Sequence, residues 1–254
     1  MKERNLNVLF TPAEFAALET RDLNETVCVV FDVLRATSSM VTALANGASA
    51  IIPVSEISEA LELRREQPEI LLAGEREGVR IPSNLTGGVP FDFGNSPREF
   101  IKEKIQGRTI AMTTTNGTRA LRSCARARRV LISSFLNLSA TYELLQREPP
   151  RHLLLICSGT FDQAAYEDVL GAGASCELLW RIYSTGAVSD SSEMARRLYL
   201  LEKDDLSAAM AWSRNGRRLL ANPELAADVP FCLQRDQFGL VAELQSDGRV
   251  TRRL

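Results

Sequence analysis

Polar and charged residues follow several of the chain's apolar runs, where an open α/β sheet binds its ligands. After the run at 27–31 come Asp32, Val33, Leu34, Arg35, Ala36, Thr37, Ser38 and Ser39. A strand-end carboxylate such as Asp32 can hold Mg2+, which prefers oxygen ligands and bridges to phosphate. Arg35 can fork onto phosphate oxygens. A helix opening near Thr37 would present free N–H groups to an anion. The plainer alternative is a capping aspartate beside a surface arginine.

A second turn follows the run at 109–112, with Thr113, Thr114, Thr115, Asn116, Gly117 and Thr118 in succession. Its hydroxyls can donate to an oxyanion, and its glycine permits close backbone approach. It is not a Walker loop, because no Gly-Lys follows. After the run at 153–157 come Ser158, Gly159 and Thr160, then Glu167 and Asp168 near a helix start. Either acid can be a metal ligand or simply complement the helix dipole. The segment 75–98 carries Glu75, Arg76 and Glu77, then Asp92, Asn95, Ser96 and Pro97. Pro97 suits a first helical turn with Ser96 as its cap. Asp92 and Asn95 either line a site or shape turns.

Absences narrow the chemistry. The single histidine, His152, precedes an apolar run and reads as a surface residue. Mechanisms needing a histidine pair are thereby excluded. No cysteine is followed six positions later by arginine, and Asp32 lacks a second aspartate two residues on. Cys157 at a strand end reads as a small buried hydrophobe. Gly171-Ala172-Gly173 begins a nucleotide-binding pattern without completing it, and reads instead as close helix packing. What remains is a carboxylate, arginine and hydroxyl site with a hard cation.

The elements that must position these residues are legible as alternating patterns. Apolar runs at 27–31, 51–54, 70–73, 109–112, 130–132 and 153–157 are continuous, as in strands covered on both faces. Between them, 37–46, 56–66, 117–125, 138–147 and 165–181 carry helical periodicity. Gly47 marks one helix end. Arg64 and Arg65 suit the end of another. The order predicts an α/β protein, a three-layer α/β/α arrangement around a largely parallel or mixed sheet. Residues 75–98 show no helical period, and long loops of this kind are usually functional or disordered. Residues 185–230 read as mainly helical, and an apolar run at 238–244 returns toward the sheet. No linker or repeat interrupts the sequence, so one domain over 1–254 is expected.

The 254 residues carry a net charge of −2, too little to attract nucleic acid or an anionic membrane. Arg119, Arg122, Arg126, Arg128 and Arg129 read as a solvated face. No apolar run nears the ~20 residues that span a bilayer. The five cysteines are widely spaced and form no CxxC pair, which suggests neither zinc nor a disulfide framework. A reducing cytoplasm is the simplest compartment, and a homodimer the expected assembly.

Five blocks, VVFDVLRATSSMVTALANGA, LLAGEREG, FDFGNSPREF, MTTTNGTRAL and YEDVLGAGA, occur in this order. Together they resemble the signature of the 2-phosphosulfolactate phosphatase family. The resemblance extends from about residue 5 to 244 and takes in NGRRLL and the FGLVAEL ending. Glu77, Pro90, Phe93 and the CSGT segment depart from it, and Glu77 adds negative charge near the expected site. The resemblance implies a Mg2+-dependent acid phosphatase with an α/β/α fold. Such an enzyme hydrolyses 2-phospho-3-sulfolactate to 3-sulfolactate and phosphate, a step toward coenzyme M. The matching positions are Asp32, Arg35, Thr37, Glu75, Asn95, Thr114, Asn116, Gly117, Thr118, Glu167 and Asp168.

Residues and resemblance together give an expected division of labour. Asp32, Arg35 and Asn116 act in catalysis. Thr37, Asn95, Thr114, Thr115, Gly117 and Thr118 bind a small phosphorylated acid. Mg2+ rests on Asp32 with Glu75 or Asp168, and Glu167 is the alternative ligand. The attacking group is water or Asp32 itself. Two other readings stand beside this one, a phosphatase for another phosphorylated hydroxy acid and a non-catalytic binder of an anionic metabolite.

Overall fold

The computed structural model describes residues 3–253. In chain order the strands are β1 (Asn5–Leu9), β2 (Thr26–Phe31), β3 (Ala50–Pro53), β4 (Leu71–Arg76), β5 (Val79–Arg80), β6 (Thr109–Thr113), β7 (Arg129–Ser133), β8 (His152–Cys157), β9 (Ala187–Val188), β10 (Ala242–Leu244) and β11 (Val250–Arg252). The α-helices are α1 (Ala16–Thr20), α2 (Ala36–Ala45), α3 (Ile57–Glu66), α4 (Lys102–Ile105), α5 (Gly117–Ser123), α6 (Leu138–Arg147), α7 (Tyr166–Tyr183), α8 (Asp190–Glu202), α9 (Leu206–Ala209), α10 (Arg214–Leu220) and α11 (Asp228–Cys232).

All eleven strands join one sheet, ordered β5-β4-β6-β3-β11-β10-β7-β2-β8-β1-β9. Strands β4, β6 and β3 form one parallel arm. Strands β7, β2, β8, β1 and β9 form the other. The antiparallel β10–β11 hairpin joins the arms, and β5 pairs antiparallel at one edge. The expected α/β fold with a largely parallel, mixed sheet is therefore present. Every apolar run read from the sequence coincides with a strand. Strand β2 is buried at all six positions, which explains why its sequence does not alternate.

The core explains how distant turns meet. Val30, Ile132 and Ile156 of one arm share a cluster with Ile51, Ile110 and Met112 of the other. Met40, Val41 and Leu44 of α2 lie in the same cluster. The two arms thus close on α2, which is buried at nine of its ten positions. Helix α7, with α6 and α8 to α11, covers the opposite face of the β1–β2–β8 region. Helix α3 packs outside the β4–β6 arm. Gly173 lies where a Cβ would meet the Ala195 carbonyl oxygen at 2.1 Å, so the Gly-Ala-Gly stretch is a helix-packing seam.

Four strands lie where none was expected, among them β11, the partner of β10 in its hairpin. Strand β1 occupies the N-terminal segment, with a half-buried pattern against β8 and β9. Strand β5 and the short helical turns at Ser83–Leu85 and Pro97–Glu99 give structure to the segment read as a long loop. Strand β9 is a two-residue edge beside β1. The C-terminal apolar run does return to the sheet, as β10. Among the described residues no helix is long and apolar enough to cross a membrane.

The remaining singled-out residues behave as surface or packing groups. The five cysteines are free and buried, and burial pushes the Cys157 thiol upward in pKa. His152 is half-buried and hydrogen-bonds Asn5 across β1–β8. Arg119 and Arg122 form exposed pairs with Asp162 and Glu59.

Candidate active site

The turn after β2 is built around Asp32. Its Oδ1 accepts the Ala36 N–H at 3.1 Å, and its carbonyl accepts the Thr37 N–H at 3.0 Å. The Asp32 N–H donates to the Thr37 hydroxyl at 3.1 Å. Asp32 therefore does for α2 what a capping side chain does, satisfying first-turn donors. Thr37, expected to bind substrate, braces this turn instead. The Asp32 Oδ2 accepts no hydrogen bond from the described residues.

Gly117 is the reason that oxygen has room. A Cβ there would lie 2.8 Å from Asp32 Oδ2 and 2.7 Å from the Ala36 Cβ. Overpacking of this kind costs about 1–3 kcal/mol. Gly117→Ala is expected to lower the urea unfolding free energy by that amount and to impair activity together with it. An unchanged unfolding curve would show that the turn yields freely.

Glu75 at the end of β4 ties two further turns together. Its Oε2 accepts the Gly78 N–H at 2.7 Å, and its Oε1 accepts both the Thr115 N–H at 3.0 Å and the Thr115 hydroxyl at 2.9 Å. Gly78 and Glu77 form the two-residue loop of the β4–β5 hairpin, with φ of 84° and 55°. Positive φ at both central residues matches a type I′ turn. Glu77 thus occupies a left-handed position that glycine adopts more readily. The Thr118 hydroxyl turns inward to the Thr114 carbonyl at 2.9 Å.

Arg35 is buried with a buried partner. Its Nη1 donates to Asp228 Oδ2 at 2.7 Å and its Nη2 to the Gly78 carbonyl at 2.5 Å. Asp228 also accepts from the Ser96 hydroxyl at 2.6 Å. Ser96, expected as a helix cap, makes no side-chain cap bond. Its hydroxyl reaches Asp228, because a buried charge draws every donor within range. Asp92 lies elsewhere, accepting from Arg64 and from the Leu72 N–H.

These turns enclose one pocket. Asp32, Arg35, Glu75, Asn95, Thr114 and Asn116 line it, with Gly78, Asn215 and Arg218. Asn95 Oδ1 and Thr114 Oγ1 are buried without a hydrogen-bond partner. Unpaired buried oxygens are costly unless a ligand or water completes them. The cavity is about 20 Å³, room for an ion or a water. A wider cavity of about 240 Å³ adjoins it, sharing Glu75, Asn116 and Arg218 and adding Arg76, Glu77, Thr115, Thr160 and Phe161.

Glu167 and Asp168 stand behind this pocket, at the start of α7. Asp168 accepts the Val33 N–H at 2.8 Å and the Gly159 N–H at 3.1 Å. Glu167 accepts the Asn215 amide at 2.6 Å and the Ser213 hydroxyl at 2.5 Å. Asp168 thus orders the turns after β2 and β8, and Glu167 ties the start of α7 to the start of α10. Burial raises the Asp32 pKa to about 7, with further upward pressure from Glu75 and Glu167. The Ala36 N–H and Arg35 oppose that rise. Asp168 is also held above the usual carboxylate range, by burial first and then by Asp32 and Glu167.

The residues fit a hard cation, though in a different grouping from the one expected. Among the described residues no three His, Cys, Asp or Glu side chains are grouped as ligands of one ion. Mg2+ needs fewer, since it keeps waters and takes substrate oxygens. The open oxygen of Asp32 and the unpartnered oxygens of Asn95 and Thr114 provide hard donors. Glu75 lines the same pocket as a charged neighbour.

Six of the twelve expected residues line the pocket, and four others were missed. Asp32, Arg35, Glu75, Asn95, Thr114 and Asn116 share the pocket, whereas Thr37, Thr115 and Thr118 have hydroxyls already engaged. Asp228, Asn215, Ser213 and Arg218 come from the C-terminal helical region. The only signal pointing there is the NGRRLL block.

Known proteins resemble the chain along most of its length. Residues 13–247 match the family model described as 2-phosphosulpholactate phosphatase. A probable 2-phosphosulfolactate phosphatase of Caldanaerobacter subterraneus subsp. tengcongensis is 38% identical over 242 residues, 94% of this chain and 95% of the relative. One from Thermotoga petrophila is 41% identical over 216 residues, 85% of this chain and 88% of the relative. One from Clostridium perfringens is 32% identical over 233 residues, 90% of each.

Proposed function

Because the chain belongs to the 2-phosphosulpholactate phosphatase family, we propose that it hydrolyses 2-phospho-3-sulfolactate to 3-sulfolactate and phosphate with Mg2+ as cofactor. The observation that carries this reading is the pocket itself. It gathers a carboxylate with an open oxygen, two unpartnered buried oxygens and two arginines. A site for an uncharged ligand would gain little from that combination.

Asp32, Asn95 and Thr114 would hold the cation, with Glu75 adding negative charge beside it. When bound, the ion supplies charge that offsets the phosphoryl oxygens and polarises the ester. Arg35 is held rigid by Asp228 and Gly78, so its position is fixed before substrate arrives. The Asn116 amide, half-buried and without a hydrogen-bond partner among the described residues, is free to orient a phosphoryl oxygen. The attacking group is water, and trapping an acyl phosphate on Asp32 would replace it by Asp32 itself.

The direct test is phosphate release from 2-phospho-3-sulfolactate with Mg2+ and with EDTA. Release is expected with Mg2+ and a fall of at least ~100-fold with EDTA. Equal rates would remove the metal from the reading. Faster release from phospholactate, phosphoglycolate or phosphoglycerate would reassign the substrate. Binding without release from any of them would favour a metabolite-binding role.

A further inference from the structure

The buried arginine of the site has little charge left to offer, and two other arginines stand beside it. Arg35 spends its guanidinium on Asp228 and the Gly78 carbonyl, both buried within the protein. Arg218, on the exposed side of α10, makes no hydrogen bond or ion pair with the described residues. It lines both the ion-sized pocket and the wider cavity. Its guanidinium carbon lies 3.6 Å from where a Gly78 Cβ would be, so Arg218 and Arg35 flank the same hairpin residue. Arg76 lines the wider cavity and has no carboxylate partner among the described residues. Its guanidinium is fixed by the Glu75 carbonyl at 2.7 Å and the Thr113 hydroxyl at 3.2 Å.

We propose that Arg218 and Arg76 form the subsite for the acid groups of the substrate that are not transferred, with the sulfonate on Arg218. The inference rests on the functional reading above. A substrate with phosphate, carboxylate and sulfonate brings more negative charge than one cation and one already paired arginine can balance. The 20 Å³ pocket has no space for all three groups, whereas the adjoining 240 Å³ cavity does. The two cavities share Glu75, Asn116 and Arg218 in their walls, so a three-carbon acid seated there meets both compartments. Glu77 and Glu75 also line it, and their charge makes the two arginines necessary for an anion to settle there. Arg218 is exposed, so replacing it removes no hydrogen bond or ion pair among the described residues.

Two measurements separate this subsite from the reaction itself. Phosphate release by the unaltered protein tests the functional reading. Calorimetric binding of 3-sulfolactate and of inorganic phosphate tests the subsite. Arg218→Ala should weaken 3-sulfolactate binding ~10- to ~100-fold, the worth of a charge-assisted hydrogen bond. It should leave phosphate binding within about twofold. Its kcat/KM should fall by a similar factor for phosphosulfolactate, and less for phospholactate, which lacks the sulfonate. Arg76→Gln should weaken 3-sulfolactate in the same selective way. Parallel loss of phosphate binding would place Arg218 on the transferred group, and unchanged binding of both would remove it from the site. Either result overturns the proposal, even if the unaltered protein releases phosphate normally.

Discussion

Asp32→Asn is expected to give a protein that is inactive and more stable than the unaltered chain. The two effects share one cause. Asp32 is a buried carboxylate whose pKa is raised from 3.8 to about 7 by burial first and then by Glu75 and Glu167. Between those pH values the folded protein holds a proton that the unfolded chain releases. Stability therefore falls as pH rises through this window. Below about pH 4 both states are protonated and the penalty is absent. Above about pH 7 both are ionised and it is complete. The rise corresponds to on the order of 4 kcal/mol. Asparagine keeps an oxygen for the Ala36 N–H but carries no charge at any pH. In metal-free protein, thermal unfolding of the variant should occur about 10 °C higher at pH 8, with little difference at pH 4. Mg2+ should raise the melting temperature of the unaltered protein and not of the variant, because only the former binds it. Phosphate release should drop at least ~100-fold, the scale seen when one electrostatic group is removed. Equal melting at pH 8, or near-normal turnover, would mean that Asp32 is not the strained centre of the pocket.

The same residue illustrates what sequence makes visible and what it hides. Asp32 was legible because it interrupts an apolar run at the point where a parallel strand must end. Thr114 and Asn116 were legible for the same reason after β6. Their neighbours show the limit of that reasoning. Thr115 and Thr118 share composition and spacing with Thr114, yet one hydroxyl goes to Glu75 and the other to a helical carbonyl. Only the direction of each side chain distinguishes them, and that follows from how the arms close on α2. Strand β1 was missed because its burial alternates at an N-terminus too short to show a period. Strand β5 was missed because a two-residue edge is created by the turn at Glu77 and Gly78, not by its own composition. Glu167 and Asp168 look like ordinary acids at a helix start. That Asp168 serves the turns after β2 and β8, and Glu167 the start of α10, appears only once those segments are in place.

Asp228 has no local signature at all, since its partner Arg35 is 193 positions away, yet its loss should cost the most. Asp228 is fully buried, and Arg35 is 3% exposed. Together with the Ser96 hydroxyl they join the turn after β2, the long loop and the start of α11. Arg98 adds a longer contact at 3.6 Å. Asp228→Asn removes the charge that compensates Arg35 and leaves a buried guanidinium facing mainly the Gly78 carbonyl. Breaking a buried pair in this way costs about 3–5 kcal/mol. An exposed pair such as Arg151 with Glu25 is worth at most about 1 kcal/mol, so Glu25→Gln provides the contrast. Urea unfolding should show the difference directly. A second variant separates stability from chemistry. Changing both partners together, Arg35→Met with Asp228→Leu, removes the charges as a pair and fills similar volume. Such replacements are often neutral or stabilising, so most of the lost stability should return. Activity should not return, because the pocket would still lack its fixed cationic group. Recovery of both would assign Arg35 to the scaffold alone, leaving Arg218 and Arg76 as the arginines that meet the substrate.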